Sequence, residues 1–415
     1  MTIRELVYAD GGEPPERRTR QAVPDPAPEI EVRGESRGFT AETVSLDHEL
    51  PPDVALLCVK ANARYGPRSF ELYFHHRGTV RAANSGDDLD KQEAHERLSL
   101  GRLTDGLADE EWGETYRWMM NWWGRQFTLN SWIRELLESP GAQLVVFDVT
   151  SYEIPWELCY HAPPPGRPGD SGWLGQLIPV TRWTSLLFGE AEWQYGAVPQ
   201  AASGGILMME SEDLRKEPDG FADFVVRSRE PTVEKLLRGL ADDDPAQSLF
   251  SLLMIRCHGE YTPDNRLSLN GTNLERLFEY DMTALRKAEA IVLLNACITG
   301  RPVTDTAHLA APTRSFAQTF LSKGARAVIA TAGDIGVVHS HLFAVKLVGR
   351  AGQGAQNLAR LLFEHRSHYA EKVRLRPGEP DRRTVGAYKR FFWSFMYVYY
   401  GHPDTTLRLS RPEPA

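Results

Sequence analysis

Cysteine is scarce in this chain, with only Cys58, Cys159, Cys257 and Cys297 among 415 residues. So few, so widely spaced, cannot form a disulfide framework. No two stand at the short spacing of zinc sites, and Cys257 and His258 are adjacent, which turns them to opposite faces of a strand. No metal and no cofactor is predicted. Long apolar runs are also missing. No stretch approaches the roughly 20 residues that cross a bilayer, and Met1 to Glu5 lacks a signal-peptide core. The expectation is a protein of the reducing cytoplasm without membrane association. Positive charge is in deficit, with a formal net charge of −9, which argues against non-specific binding of nucleic acid.

What is present is ordinary for a soluble globular protein: 42% hydrophobic and 25% charged residues, in a chain long enough for two domains. Residues 1–50 carry Pro14, Pro15, Pro24, Pro26 and Pro28 with many Glu and Arg. Such a segment buries too little apolar surface to offset its ordering entropy, so a flexible arm is expected. Residues 51–200 read as an α+β accessory domain. Strands fit Val54–Val59 and Ser69–Phe74, with a Gly66-Pro67 break predicting a hairpin. From about 90 to 139 the pattern is helical, and Trp112, Tyr116, Met119, Met120 and Trp123 form a stripe read as core. Further strands fit Leu144–Phe147 and Leu177–Val180. The small-residue stretch Gly196 to Gly205 marks the boundary.

Beyond it, strands at Gly205–Met209, Phe224–Arg227, Leu252–Cys257, Ile291–Asn295 and Arg326–Thr331 alternate with helices. These fit Thr232–Leu240, Asn273–Glu279, Arg314–Lys323, Val338–Arg350 and Gln353–Tyr369. That alternation predicts an α/β fold, a mainly parallel sheet flanked by helices over residues 201–415. No glycine loop of the G-x-G-x-x-G or P-loop type follows the strand at Gly205–Met209, which ranks a nucleotide-binding module last.

Two aliphatic runs end on reactive side chains. One closes on Arg256-Cys257-His258-Gly259, the other on Asn295-Ala296-Cys297 with Gly300 just beyond. Central parallel strands deliver their last residues to the carboxyl edge of the sheet, where open α/β folds place their sites. Alone, Cys297 reads as a buried small hydrophobe and His258 as a core histidine. About 40 residues separate them, a strand-helix-strand length, so the two tips can be neighbours. A thiol and an imidazole brought together there form an activated nucleophile with its base.

Several segments then resemble one family. They are Arg256 to Tyr261, Leu293 to Gly300, Leu321 to Ala330 and the closing Tyr399-Tyr400-Gly401-His402-Pro403-Asp404. In their order and spacing, residues 204–405 resemble the CHAT domain, a branch of the caspase–separase cysteine peptidases. Ile154-Pro155-Trp156-Glu157-Leu158 resembles the element that precedes the peptidase half in such proteins. The resemblance implies a caspase-like fold, a pseudo-peptidase-like accessory half and a His258/Cys297 dyad. It further implies an oxyanion hole from the amides of Gly259 and Cys297, and a thioester acyl-enzyme. It implies a cysteine endopeptidase that cleaves a protein partner, in regulated bacterial proteolysis such as antiphage defence, under a regulatory or activating protein. The alternative is a catalytically silent scaffold on the same fold. Thr331 to Ile335 departs from the family, standing where many members have a Trp near an Asp.

Strand alternation puts Arg256 on the face of His258 and Asn295 on that of Cys297. Both are candidate pocket residues. Arg256 would favour an acidic substrate residue, whereas Glu210, Asp305 or Asp334 would favour a basic one. For each of these charges an ordinary strand-edge salt bridge is the favoured reading over a pocket role.

Overall fold

The computed structural model describes residues 53–412 apart from 62–69, 85–102, 164–169, 185–198, 216–219, 242–249, 262–266, 302–314, 374–381 and five single positions (105, 125, 149, 151, 228). The arm at 1–50, the Gly66-Pro67 break and Asp305 lie outside the described residues.

The strands run in chain order β1 (Val54–Ala61), β2 (Phe70–His76), β3 (Thr79–Asn84), β4 (Gln143–Asp148), β5 (Tyr160–His161), β6 (Gly172–Trp173), β7 (Val180–Trp183) and β8 (Ala201–Glu210). There follow β9 (Phe250–Arg256), β10 (Gly259–Tyr261), β11 (Leu267–Leu269), β12 (Thr272–Asn273), β13 (Ile291–Leu294), β14 (Ala327–Thr331), β15 (Gln356–Asn357), β16 (Tyr397–Tyr400) and β17 (Thr406–Leu409). Twelve of them form one sheet in the order β15-β17-β8-β9-β13-β14-β16-β7-β4-β1-β2-β3. Neighbours are parallel from β17 through β14 and again from β16 through β1. The antiparallel contacts are the two edges and the β14/β16 seam. This is the mainly parallel α/β sheet that strand–helix alternation predicts, and it runs through both halves of the chain.

Central strands have no solvent face, which is why they read as unbroken aliphatic runs. Leu252 and Met254 of β9 enter one core, Leu253 and Ile255 the other. The first core is covered by helices α1 (Glu111–Gly124) and α2 (Phe127–Leu137). The second is covered by α3 (Val233–Ala241), α4 (Leu274–Phe278), α5 (Thr283–Lys287) and α6 (Phe316–Ser322). Helices α7 (Val337–Gln353), α8 (Leu358–Ala370) and α9 (Arg382–Met396) return to the first.

The aromatic stripe of α1 is core. Trp112, Tyr116, Met119 and Trp123 are buried, with Tyr116 edge-on to Phe391 of α9 at 4.9 Å. His339 of α7 and His365 of α8 are buried as a tilted pair at 5.3 Å, and burial lowers the His339 pKa to about 4.

Some predicted elements shift. Phe224–Arg227 is not a strand: a short 3-10 turn at Ala222–Phe224 leads into isolated bridges from Val225 to Ile206 and Glu230 to Met209. Gln353–Tyr369 is not one helix, because the chain leaves the helix at Gly354 and pairs β15 with β17 before α8 begins. The strand read at Leu177–Val180 starts at Val180, after a helical turn at Leu174–Leu177.

The Trp156–Leu158 turn is an anchor in the core. Glu157, 1% exposed, accepts from Arg182 of β7 through Nε at 2.9 Å and also through Nη2, and Arg366 of α8 lies 3.9 Å away. Burial alone would raise its pKa, yet the two guanidiniums hold the carboxylate below its ordinary range. Replacing Glu157 by alanine leaves two buried cations unpaired. The expected loss is about 3–5 kcal/mol of folding stability, measured by denaturant unfolding.

Candidate active site

β9 and β13 lie side by side and parallel, with Ile291 opposite Leu252 and Leu294 opposite Ile255. The Asn295 amide continues the ladder, donating to the Ile255 carbonyl at 2.8 Å. Past these strand ends come His258 and Gly259 on one segment and Ala296 and Cys297 on the other. The backbones there are in close contact. A β-carbon built on Gly259 would lie 2.0 Å from the Cys297 carbonyl oxygen and 3.2 Å from its amide nitrogen. Only glycine lets the two strand tips approach this closely.

Beyond Leu294 the chain leaves the strand, so Cys297 no longer follows the strand alternation that was expected to pair it with Asn295. Its side chain packs toward the second core, that of Ala296. Ile298 has φ 55°, a left-handed conformation that is costly for a β-branched residue and is held in place from outside. Its amide donates to the Gly333 carbonyl at 3.3 Å, and the Gly300 amide to the Thr331 carbonyl at 2.7 Å. The buried Thr299 hydroxyl donates to Leu294 and Ala296 carbonyls at 3.3 and 3.2 Å, while the Thr331 hydroxyl also reaches the Ala296 carbonyl. The loop that carries Cys297 is thereby tied to the end of β14.

The segment Thr331 to Ile335 therefore cradles the thiol. The Ile335 amide donates to Sγ at 3.5 Å, and Sγ–H faces the Ile335 carbonyl at 3.8 Å. Cys297 is half-buried, whereas Cys58, Cys159 and Cys257 are buried. Burial raises the Cys297 pKa, the Ile335 amide opposes this, and the nearby Asp334 carboxylate raises it further. Burial pushes the Cys58 thiol up to about 11 and the Cys257 thiol to about 12.

His258 is exposed, and its Nε2 lies 2.6 Å from Asp213 Oδ2. Asp213 sits in the 3-10 turn Glu212–Leu214 directly after β8. That turn is pinned by the Ser211 amide donating to the Arg256 carbonyl at 2.9 Å and by the buried Leu214. The hydrogen bond to His258 lowers the Asp213 pKa.

The charged pocket candidates meet one another. Glu210 accepts from Arg256 and from Arg229, with Arg215 3.9 Å away. Arg256, 1% exposed, also contacts His341 Nδ1 at 3.1 Å and lies over the Phe221 ring at 5.0 Å. Asn295 is buried, accepting from the Tyr397 hydroxyl at 2.8 Å and donating to the Ser340 carbonyl at 3.0 Å. Asp334 is exposed beside the thiol. Sequence reasoning missed Asp213, Thr299 and Ile335. None has a spacing signal, since each arrives from a loop. Among the described residues no group of three or more His, Cys, Asp or Glu is placed to hold a metal, and no helix is long and apolar enough to cross a membrane.

The class defined by this fold and site is an α/β protein with an imidazole and a thiol at adjacent parallel strand tips. No family model and no curated protein matches the chain. Among solved structures it is similar to two crystal structures of the Saccharomyces cerevisiae separase–securin complex, at 2.6 and 3.0 Å resolution. Both alignments have 10% identity and cover 86% of this chain, with TM-scores of 0.41 and 0.45. This chain spans 30% of the length of the chains it matches.

Proposed function

We propose that the protein is a cysteine endopeptidase of the caspase-like CHAT type, in which residues 201–415 form the peptidase half and 51–200 an accessory half. The observation that supports this reading is the close approach of the Gly259 backbone to the Cys297 peptide, just past the ends of the adjacent parallel strands β9 and β13. In this mechanism His258 takes the thiol proton and Sγ attacks a peptide carbonyl of a protein partner. The amides of Gly259 and Cys297 stabilise the tetrahedral oxyanion by a few kcal/mol per donor, about 3 each. The C–N bond breaks as His258 returns the proton to the leaving amine, and water then hydrolyses the thioester. The setting proposed is regulated proteolysis, of which antiphage defence is one form.

The resting thiol is held protonated by burial and by Asp334, so thiolate formation belongs to the His258-assisted step. A peptidyl acyloxymethyl ketone, which alkylates a thiol after docking as a substrate does, tests the reading. Mass spectrometry is expected to find it on Cys297 and not on Cys58, Cys159 or Cys257. Labelling no faster at Cys297 than at the buried thiols would favour a silent scaffold instead. With iodoacetamide, alkylation of Cys297 is expected to rise with pH through and above the ordinary thiol range. Asp334→Asn, by removing the neighbouring negative charge, should quicken it at neutral pH.

A further inference from the structure

Asp213 stands outside the dyad, yet it reaches the nitrogen of His258 that fixes the tautomer. The geometry points to Asp213 as the positioning residue of this site: its carboxylate holds the proton of His258 on Nε2 and leaves Nδ1 as the base for Cys297. This rests on the peptidase reading of His258 and Cys297. Three observations support it. The Nε2 to Oδ2 distance is 2.6 Å, and because an ionised carboxylate can only accept, this contact requires the ring N–H on Nε2. The carboxylate is offered by the turn that follows β8, and β8 is the parallel neighbour of β9, whose end carries His258. That turn is itself fixed to β9 through the Ser211 amide on the Arg256 carbonyl. Three strand tips in a row thus supply the acid, the imidazole and the thiol.

The contact is also poorly suited to a purely structural role. The two side chains are 50% and 60% exposed, and surface pairs of this kind add little to folding stability. What the pair does control is which ring nitrogen carries the proton, and that decides whether the imidazole presents a lone pair to the thiol. Nε2–H stays bonded to Asp213 throughout, Nδ1 takes the thiol proton as Sγ forms its bond to the carbonyl carbon, and Nδ1 returns that proton to the amine as the C–N bond breaks.

The experiment compares wild type, Asp213→Ala and Asp213→Glu, each labelled with nitrogen-15 at histidine. Long-range proton–nitrogen correlations above neutral pH read the His258 tautomer without needing a substrate. Wild type should hold the Nε2–H form, Asp213→Ala should mix both forms, and Asp213→Glu should restore the first. With a cleaved peptide, kcat should fall about tenfold or more in Asp213→Ala with KM and melting temperature unchanged, and Asp213→Glu should recover it. An identical tautomer and kcat in Asp213→Ala would overturn the assignment. An Asp213-dependent tautomer in a protein that cleaves nothing would uphold the pairing and overturn the peptidase reading instead.

Discussion

Cys297→Ala is expected to abolish proteolysis, lowering kcat/KM by about a thousandfold or more, and His258→Ala is expected to do the same. The thiol is the only nucleophile in this reading, and no neighbouring group replaces it. Cys58, Cys159 and Cys257 are buried with raised pKa values. If imidazole and thiol act as one unit, as proposed, the double variant should be no worse than either single one, since effects within such a unit are not additive. Folding should scarcely change: Cys297 is half-buried and His258 is exposed. Cleavage of a protein or peptide library followed by mass spectrometry, with melting temperatures in parallel, makes the measurement. Undiminished cleavage by folded Cys297→Ala would refute the mechanism.

Gly259→Ala is expected to have the second-largest effect. The new methyl would lie 2.0 Å from the Cys297 carbonyl oxygen, a backbone atom that no rotamer change can move aside. The tips of β9 and β13 must part, shifting His258 and Cys297 with them. Displacement of reacting groups by about 1 Å can cost about a hundredfold in rate, so kcat/KM should fall on that order. Gly349→Ala is the contrast. Gly349 lies in α7 with nothing within 4 Å of its added methyl, so activity should persist, and stability should rise by about 0.5–1 kcal/mol. Equal activity in Gly259→Ala and wild type would mean that the close backbone contact has no part in the chemistry.

Much of this arrangement is legible in the sequence, and the exceptions have physical causes. β9 and β13 are readable because strands buried on both faces need aliphatic residues at every position. α1 is readable because its aromatic residues recur at helical spacing. β16 is hidden: α9 ends at Met396 and the strand begins at Tyr397, with no glycine or proline between them. Phe224–Arg227 has the composition of a strand but a single isolated bridge to β8, Val225 to Ile206, so composition without a continuous ladder misleads. Arg256 and Glu210 were competing readings of a pocket's charge, and in the folded chain they are partners in one buried ion pair. At the site, a residue closing an apolar strand can be found by eye. Asp213, Thr299 and Ile335 cannot, because their positions depend on loops whose course is set by distant contacts.

The sequence by itself determined that this is an α/β protein and that His258 and Cys297 each follow shortly after a buried strand. Hydrophobic pattern is local and reports burial directly. Only the tertiary structure decided that β9 and β13 are neighbours, and that Gly259 packs against the Cys297 peptide. It also decided that Ile335 cradles the sulfur and that Asp213 meets Nε2 of His258. Pairing and register are non-local: the same aliphatic run can pair with any strand of similar pattern. Which partner it takes is settled when the whole sheet and both helical layers close at once.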